Sequence, residues 1–455
     1  MEISRHALAL SINTRPIIRK LAGCPYSGDA FLVGGAVREL ALGETPRDYD
    51  LALSKTDDLK HLERLFGRSS FLLGKKPVQT HRIVTGDIVL DITIPCGTIE
   101  DDLARRDFTM NAIAFDITRD KIVDPLNGLD DISKKIIRYP RRDSIENDPL
   151  RMLKAIRHFA SLENFILDGE LIKAIIASKG LIRQTAPERV KYELDLIMLS
   201  KGVAKGIGML ETTGLIFEVF PELYALRAMD LDKGFALETF GHTVHGFSYL
   251  NPYVENFLGE ERESAKDVGY ALLFHDLGKA HTYSYDEGKG LVHFFHHERF
   301  SKEIALTIME RLRFSTHETR KVLALIENHM RIFLISTGEA TEKAIKRLIY
   351  KMGDLTPLLV LLTICDMYGS SGGQDNSSTR RVMQNCDTIM TAYRESKKEP
   401  LERLLSGSDL LSMGFAEGPA IGRCINEVRD RQIAGDITHR GEALMFAQAF
   451  LKAQG

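Results

Sequence analysis

The residues with the clearest chemical potential are two aspartates one residue apart, Asp48 and Asp50, in the run DYDLAL. Alternate side chains of a strand share a face, so both carboxylates are expected to point the same way. Carboxylates held that close repel unless a cation lies between them, and two Mg²⁺ ions would suit the pair. Asp91, in the alternating run VLDIT, is compatible with a third acid facing the same site. Upstream, Gly34 and Gly35 lie between a strand-like run and a helical one. Such a turn lets backbone N–H groups approach a triphosphate, helped by the helix N-terminus. Arg38, one turn into that helix, is placed to meet phosphate oxygens. Alone, a D-x-D is more often a solvated turn and a Gly-Gly turn says little; together they point to phosphoryl chemistry.

Two further segments add polar groups. In DDLARRDFTMNAIAFD, Arg106, Asp107 and Asn111 put a cation and hydrogen-bonding groups beside the following strand, although the same charges also read as a surface run. In ENDPLRMLKAIRHF, Asp148 and Arg151 are three residues apart and are expected on one helical face. That pairing offers acceptors and donors in one plane, as reading a base's Watson–Crick edge requires. The competing reading is an ordinary Asp N-cap followed by proline at the first helical position.

A second constellation runs through His242, His275–Asp276, His297, His329 and Asp366. A His-Asp dipeptide on a helix presents one nitrogen and one oxygen ligand at nearly the same height. An isolated histidine in an apolar helix is usually a core residue, whereas several arriving in this order point to a metal. Spacing alone does not choose between His296 and His297, and imidazole with carboxylate suits several transition metals.

The elements that must position these groups are legible in outline. FLVGGAV, DYDLAL, HRIVTGDIVLDITIP and AIAFDI read as strands, and helical periodicity dominates from ENDPLRMLKAIRHFA onward. The fold class expected is α+β: a head (1–139), a helical neck and body (140–234), a histidine-rich helical domain (235–393) and a helical tail (400–455). DPLNGLDDI is a glycine-bearing connection near the first change, and RESKKEP (394–400) reads as a linker. With 455 residues, 44% hydrophobic and 27% charged, the composition is that of a globular protein of several domains. No membrane span or secretory signal is expected. Five scattered cysteines without C-x-x-C spacing fit a reducing, cytoplasmic compartment. A net charge of −3 means that any RNA contact rests on a local basic patch.

The order GGAVRE and DYD, RRDFTMNA, DPLNGLDD, NDPLRMLKAIR and ERVKYEL, over residues 31–195, resembles the class II tRNA nucleotidyltransferase and bacterial poly(A) polymerase family. The resemblance implies a polymerase β-like head, Mg²⁺ at Asp48 and Asp50, and Asp91 helping to activate an RNA 3′-hydroxyl. It also implies that Gly34, Gly35, Arg38, Arg106, Asp107, Asn111, Asp148, Arg151, Lys154 and Arg157 surround the incoming CTP or ATP. Glu188, Arg189 and Glu193 would brace them. Asn147, Lys154 and Glu39 stand where the family usually has Glu, Arg and Asp.

The connection ITIPCGTIEDDLA is shorter than in many full CCA-adding members. In the family, a short connection accompanies enzymes that stop after CC, so CC addition is favoured, with CCA or A addition and poly(A) synthesis as alternatives. H…HD…H…H…D resembles the HD phosphohydrolase superfamily, which implies His242, His275, Asp276 and Asp366 on one divalent transition metal and His297 and His329 on a second. An HD phosphohydrolase whose head only senses nucleotide is the reading from a different class. Arg423, Arg429 and Arg431 in the tail read either as tRNA contacts or as a solvated face.

Overall fold

The computed structural model describes residues 3–73, 79–233, 239–259, 261–337, 341–398 and 401–453. The chain forms two compact units, the first of Met1–Glu193 with Met209–Val219, the second of Leu194–Gly208 with Phe220–Gly455.

A seven-stranded sheet organises the first unit. Its strands are β1 (Ala30–Val33), β2 (Asp48–Leu53), β3 (Phe71–Leu73), β4 (Thr80–Thr85), β5 (Ile88–Thr93), β6 (Ala114–Asp116) and β7 (Lys121–Val123), in the order β3-β4-β5-β2-β1-β6-β7. Neighbours run antiparallel except β2 and β5, which are parallel. β2 coincides with the run DYDLAL. The single strand expected from HRIVTGDIVLDITIP is two, folded back at Gly86-Asp87 so that Thr85 faces Ile88. Gly86 has φ +57, which a two-residue hairpin turn demands and glycine supplies cheaply. β3 and β7, three residues each, are too short to show alternation in the sequence.

The glycine-bearing connection DPLNGLDDI is a capped turn. Asp124 accepts from the N–H groups of Gly128 and Leu129 at 2.7 and 3.1 Å, opening the helix Gly128–Lys134. A Cβ at Gly128 would lie 2.2 Å from the Thr109 carbonyl oxygen, so the backbones meet only because the side chain is absent.

The second unit is helical, with one unforeseen hairpin pairing Tyr283–Asp286 with Leu291–Phe294. Two helices form its centre. Ala265–Phe274 is buried at every position except Lys266, and Thr356–Ser370 is apolar nearly all round. The stretch Glu342–Ser370 contains an 18-residue window of mean hydropathy 1.6, which the sequence reading missed. That window is 72% buried within the protein, as a core helix would be. RESKKEP is not a linker over 394–398, which complete the helix Ser377–Lys398. Good helix formers, with Lys397 and Lys398 beside the negative helix end, extend it; residues 399–400 lie outside the described residues. The tail helices Gly407–Ser412, Pro419–Ile433 and Arg440–Lys452 enclose their own core of Leu405, Leu410, Phe415, Cys424, Val428 and Ile437.

Replacing Gly128 with alanine is expected to destabilise the first unit by roughly 2 kcal/mol, the scale of an overpacked contact, measured as a lowered denaturation midpoint. A midpoint equal to that of the unaltered protein would show that Thr109 yields without strain.

Candidate active site and metal centre

The parallel pairing of β2 with β5 sets Asp50 directly opposite Asp91 and Asp48 opposite Val89, so all three acids lie on one face. Tyr49, between the first two, points to the other face and is buried. Burial, Asp91 and Asp48 push the Asp50 carboxyl up to about 6, against the pull of Arg106. A cation at this face would relieve that repulsion, and the donor set of carboxylate oxygens suits Mg²⁺. Gly34, at φ +73, joins β1 to the helix Gly35–Ala41. A Cβ there would sit 2.7 Å from Arg106 Nη1 and 2.9 Å from Asp50 Oδ2, and the positive φ itself favours glycine.

Arg106 also donates through Nε and Nη2 to Asp102 Oδ2, both at 3.1 Å. Arg38 is buried; Nη1 donates to Asn111 Oδ1 and Nη2 to Glu39 Oε1 at 3.1 Å. Its Nε finds no hydrogen-bond partner among the described residues. An orphaned guanidinium donor beside a Gly-Gly turn fits a phosphate oxygen. Asn111 Nδ2 in turn donates to Asp107 Oδ1 at 2.9 Å, and Lys154 Nζ stands 3.7 Å from Asp107 Oδ2. Burial opposes ionisation of Asp107, but Lys154, Asn111 and the Phe108 N–H outweigh it and hold the carboxyl below its usual range.

Asp148 and Arg151 do not share a helical face. The helix begins at Arg151, and Asp148 is extended, at φ −147 and ψ 94. A residue before proline is pushed out of the helical region, and Pro149 enforces this. Nor does Asp148 cap the helix. Its carboxylate accepts from Arg189 Nη2 at 3.1 Å, while Arg151 donates to the carbonyls of Arg106 and Arg105 at 3.0 and 2.7 Å. Arg157 pairs with buried Glu193, Nε to Oε2 3.2 Å. Arg189 and Glu193 both belong to the helix expected to brace the site, Pro187–Met198.

Three participants escaped the sequence reading. Arg82 on β4 faces Asp91 in the antiparallel register and grips it with two hydrogen bonds, Nε to Oδ1 2.7 Å and Nη2 to Oδ2 2.6 Å. Counting back from the Gly86-Asp87 turn would have found it. Asp102 lies one helical turn before Arg106. Buried His158, held neutral by burial and by Arg157, has Nε2 3.0 Å from Arg157 Nη2. Nothing in the sequence signalled it.

In the second unit the histidines and aspartates converge. Among the described residues, three sets have ligand atoms within 4.8 Å of one another: His242, His275 and Asp276; His275, His329 and Asp366; Asp276, His297 and His329. Asp276 belongs to the first and third sets and joins them. Oδ2 lies 2.9 Å from His242 Nε2 and 3.2 Å from His275 Nε2, and Oδ1 lies 3.2 Å from His297 Nε2. Asp366 Oδ1 stands 3.4 Å from His275 Nε2. His296 is exposed and His297 buried, which separates the two candidates that spacing left equal. Gly278 of HDLGK lets the two segments touch, since a Cβ there would be 2.1 Å from the His297 carbonyl oxygen.

The Nδ1 atoms of His275, His297 and His329 lie 2.8, 2.9 and 2.7 Å from the carbonyls of Leu272, Phe294 and Ile326. A carbonyl only accepts, so each Nδ1 carries a proton and each ring turns its Nε2 into the cluster. His297 Nε2 and His329 Nε2 are 3.1 Å apart, a distance that either a shared proton or a metal ion between them accounts for. Burial drives His329 down to about 3, keeping it neutral. The carboxylates, against burial, raise His275 to about 10, and His275 with Lys279 holds Asp276 well below its usual range. A bridging carboxylate within a ring of imidazoles fits a pair of divalent transition metals.

The tail arginines divide. Arg429 donates to the carbonyls of Glu402 and Leu401 at 3.1 and 3.0 Å, and Arg431 bonds Glu427 and covers the Phe446 ring. These two are committed to packing, and Arg423 is exposed.

Comparison with known proteins decides the family. Residues 75–138 match the poly A polymerase head domain, 164–226 the probable RNA- and SrmB-binding site of polymerase A, and 239–369 the HD domain. The CC-adding tRNA nucleotidyltransferase of Thermus thermophilus is 31% identical over 92% of this chain and 93% of its own length. The chain belongs to the tRNA nucleotidyltransferase family. Another family member, the A-adding tRNA nucleotidyltransferase of Deinococcus radiodurans, is 29% identical over 93% of this chain and 96% of its own. The family fold is shared with the Thermotoga maritima CCA-adding enzyme complexed with tRNA (TM-score 0.64, 20% identity, 99% of this chain and 100% of that one). It is shared equally with the Bacillus stearothermophilus CCA-adding enzyme in complex with CTP (TM-score 0.66, 20% identity, 97% and 99%).

After loading with Mn²⁺ and gel filtration, an Asp276→Asn protein is expected to retain less tightly held metal than the unaltered protein, by elemental analysis. Equal retention would remove Asp276 as a shared ligand.

Proposed function

We propose that the first unit adds nucleotides singly to the 3′ end of tRNA, using CTP and/or ATP with Mg²⁺, in a cytoplasmic setting, and that its mode is CC addition. The observation that carries this is Asp50 opposite Asp91 with Asp48 on the same face. Asp48 and Asp50 would hold the Mg²⁺, which when bound neutralises triphosphate charge and makes a hydroxyl more acidic. Gly34, Gly35, Arg38 and Arg106 bind the phosphates. Asp107, Asn111 and Lys154 fix the floor on which Arg38 rests, with Arg157 beside them. Asp148 and Arg151 read the base edge, braced by Arg189 and by the carbonyls of residues 105 and 106. Selecting a base with side chains needs such bracing, because a loose donor or acceptor discriminates poorly.

The CC mode is supported by the connection from β5 to the helix Ile99–Ala104, residues 94–98 only. A capping box between Thr98 and Asp101 pins its end. No long loop is available there to switch the pocket between bases, and the Thermus relative is named for CC addition. The Deinococcus relative, named for A addition, makes that mode the second reading. In the second unit, His242, His275, Asp276, His297, His329 and Asp366 would hold the divalent metals of a phosphohydrolase that acts on phosphoesters such as damaged RNA ends.

Each nucleoside triphosphate, offered separately with tRNA ending before CCA or after CC, tests the mode by product length. Two C additions and no use of ATP are expected. A addition to the CC-ended substrate would favour the second reading. Asp50→Ala is expected to reduce incorporation by about a hundredfold or more, and full incorporation would overturn the site. His275→Ala should abolish metal-stimulated phosphatase activity and spare nucleotide addition. Loss of both would make the histidine cluster structural.

A further inference from the structure

Arg82 has no part in the arrangement so far assigned to nucleotide or metal, yet its position is specific. Its guanidinium lies edge-on to Asp91, with Nε and Nη2 each donating to a different carboxylate oxygen at 2.7 and 2.6 Å. Among the described residues those are its only hydrogen bonds, and 38% of its side chain is exposed. Packing therefore does not hold it; Asp91 does. Exposed ion pairs contribute little to stability unless they are two-pronged, as this one is, so whether it also braces the sheet is decided by melting temperature and not by geometry.

The contact has chemical consequences. A fork bound to both oxygens fixes the plane of the carboxylate and fills the lone pairs that face it. A divalent cation seated by Asp48 and Asp50 can then use Asp91 only from the remaining side, or by displacing the guanidinium. Arg82 also brings a positive charge to a face that carries three carboxylates.

We propose that Arg82 is a positioning residue that orients Asp91 for the reaction and competes with the divalent cation for it, an inference that rests on the polymerising role of the triad. Arg82 thereby trades cation affinity for a single orientation of the third acid. Its charge sets the affinity and its fork sets the orientation, so the two effects separate by substitution.

The test titrates Mn²⁺ alone into the full-length protein, following free Mn²⁺ by electron paramagnetic resonance. The head site is defined as the binding lost in Asp50→Ala. Arg82→Gln is expected to bind that Mn²⁺ about tenfold more tightly and to add nucleotide with a lowered kcat at unchanged KM for CTP. Arg82→Lys keeps the charge and loses the fork, so Mn²⁺ affinity stays near the unaltered value while kcat falls. Unchanged or weaker Mn²⁺ affinity in Arg82→Gln, or unchanged kcat in both variants, overturns the proposal. A fall in melting temperature with kcat and KM moving together overturns it in favour of a structural role. Should Arg82→Gln fail to fold, kcat in Arg82→Lys decides alone: lowered supports, unchanged refutes. If Asp50→Ala keeps both Mn²⁺ binding and incorporation, it is the underlying reading of the triad that fails.

Discussion

Three carboxylates brought onto one face of a sheet repel one another, and the first unit is arranged around that repulsion. β2 and β5 run parallel because the chain between them first crosses through the helix Asp57–Phe66 and the strands β3 and β4 before returning. The parallel register sets Asp50 against Asp91, and burial raises the cost of keeping Asp50 charged. Two arginines flank the acids from opposite sides, Arg106 beside Asp50 and Arg82 on Asp91. Gly34 sits beside both Arg106 and Asp50 at a positive φ, which glycine adopts without strain. The remaining deficit of positive charge is what would favour a cation at this face.

The second unit meets the same electrostatic problem with helices. Three of its candidate ligands sit at helix ends: His275 closes Ala265–Phe274, His297 opens the helix His297–Arg311, and His329 closes Thr316–Asn328. In each, Nδ1 is bonded to the carbonyl three residues earlier, so the backbone of the ligand's own segment aims Nε2 inward. A single carboxylate, Asp276, then faces both halves of the cluster. Strand faces supply oxygen donors at fixed spacing, which suits Mg²⁺; helix ends supply imidazoles from scattered positions, which suits softer metals.

The parts of both sites that depend on near neighbours could be read from the chain. The alternation in DYDLAL shows that Asp48 and Asp50 share a face, and His275–Asp276 announces itself by adjacency. Readings that assumed a regular element fared worse. Asp148 and Arg151 looked like helical neighbours, but Pro149 excludes the first from the helix and each side chain finds a different partner. RESKKEP looked like a linker and is mostly helix, because local propensity outweighs polarity. Arg82 was within reach of counting from the Gly86-Asp87 turn, though only once HRIVTGDIVLDITIP is seen as a hairpin.

What the sequence determined by itself is the chemical inventory and its local direction: which acids, which histidines apart from the choice between His296 and His297, and which of them share a strand face or a helix turn. These follow from the fixed periods of the backbone, which neighbours a few residues apart cannot escape. Only the tertiary structure decided the partners: Asp91 for Asp50 and Arg82 for Asp91, Arg189 for Asp148, Asp276 between His242 and His297. Pairing of that kind depends on strand order, register and helix crossing, set by packing between segments far apart in the chain.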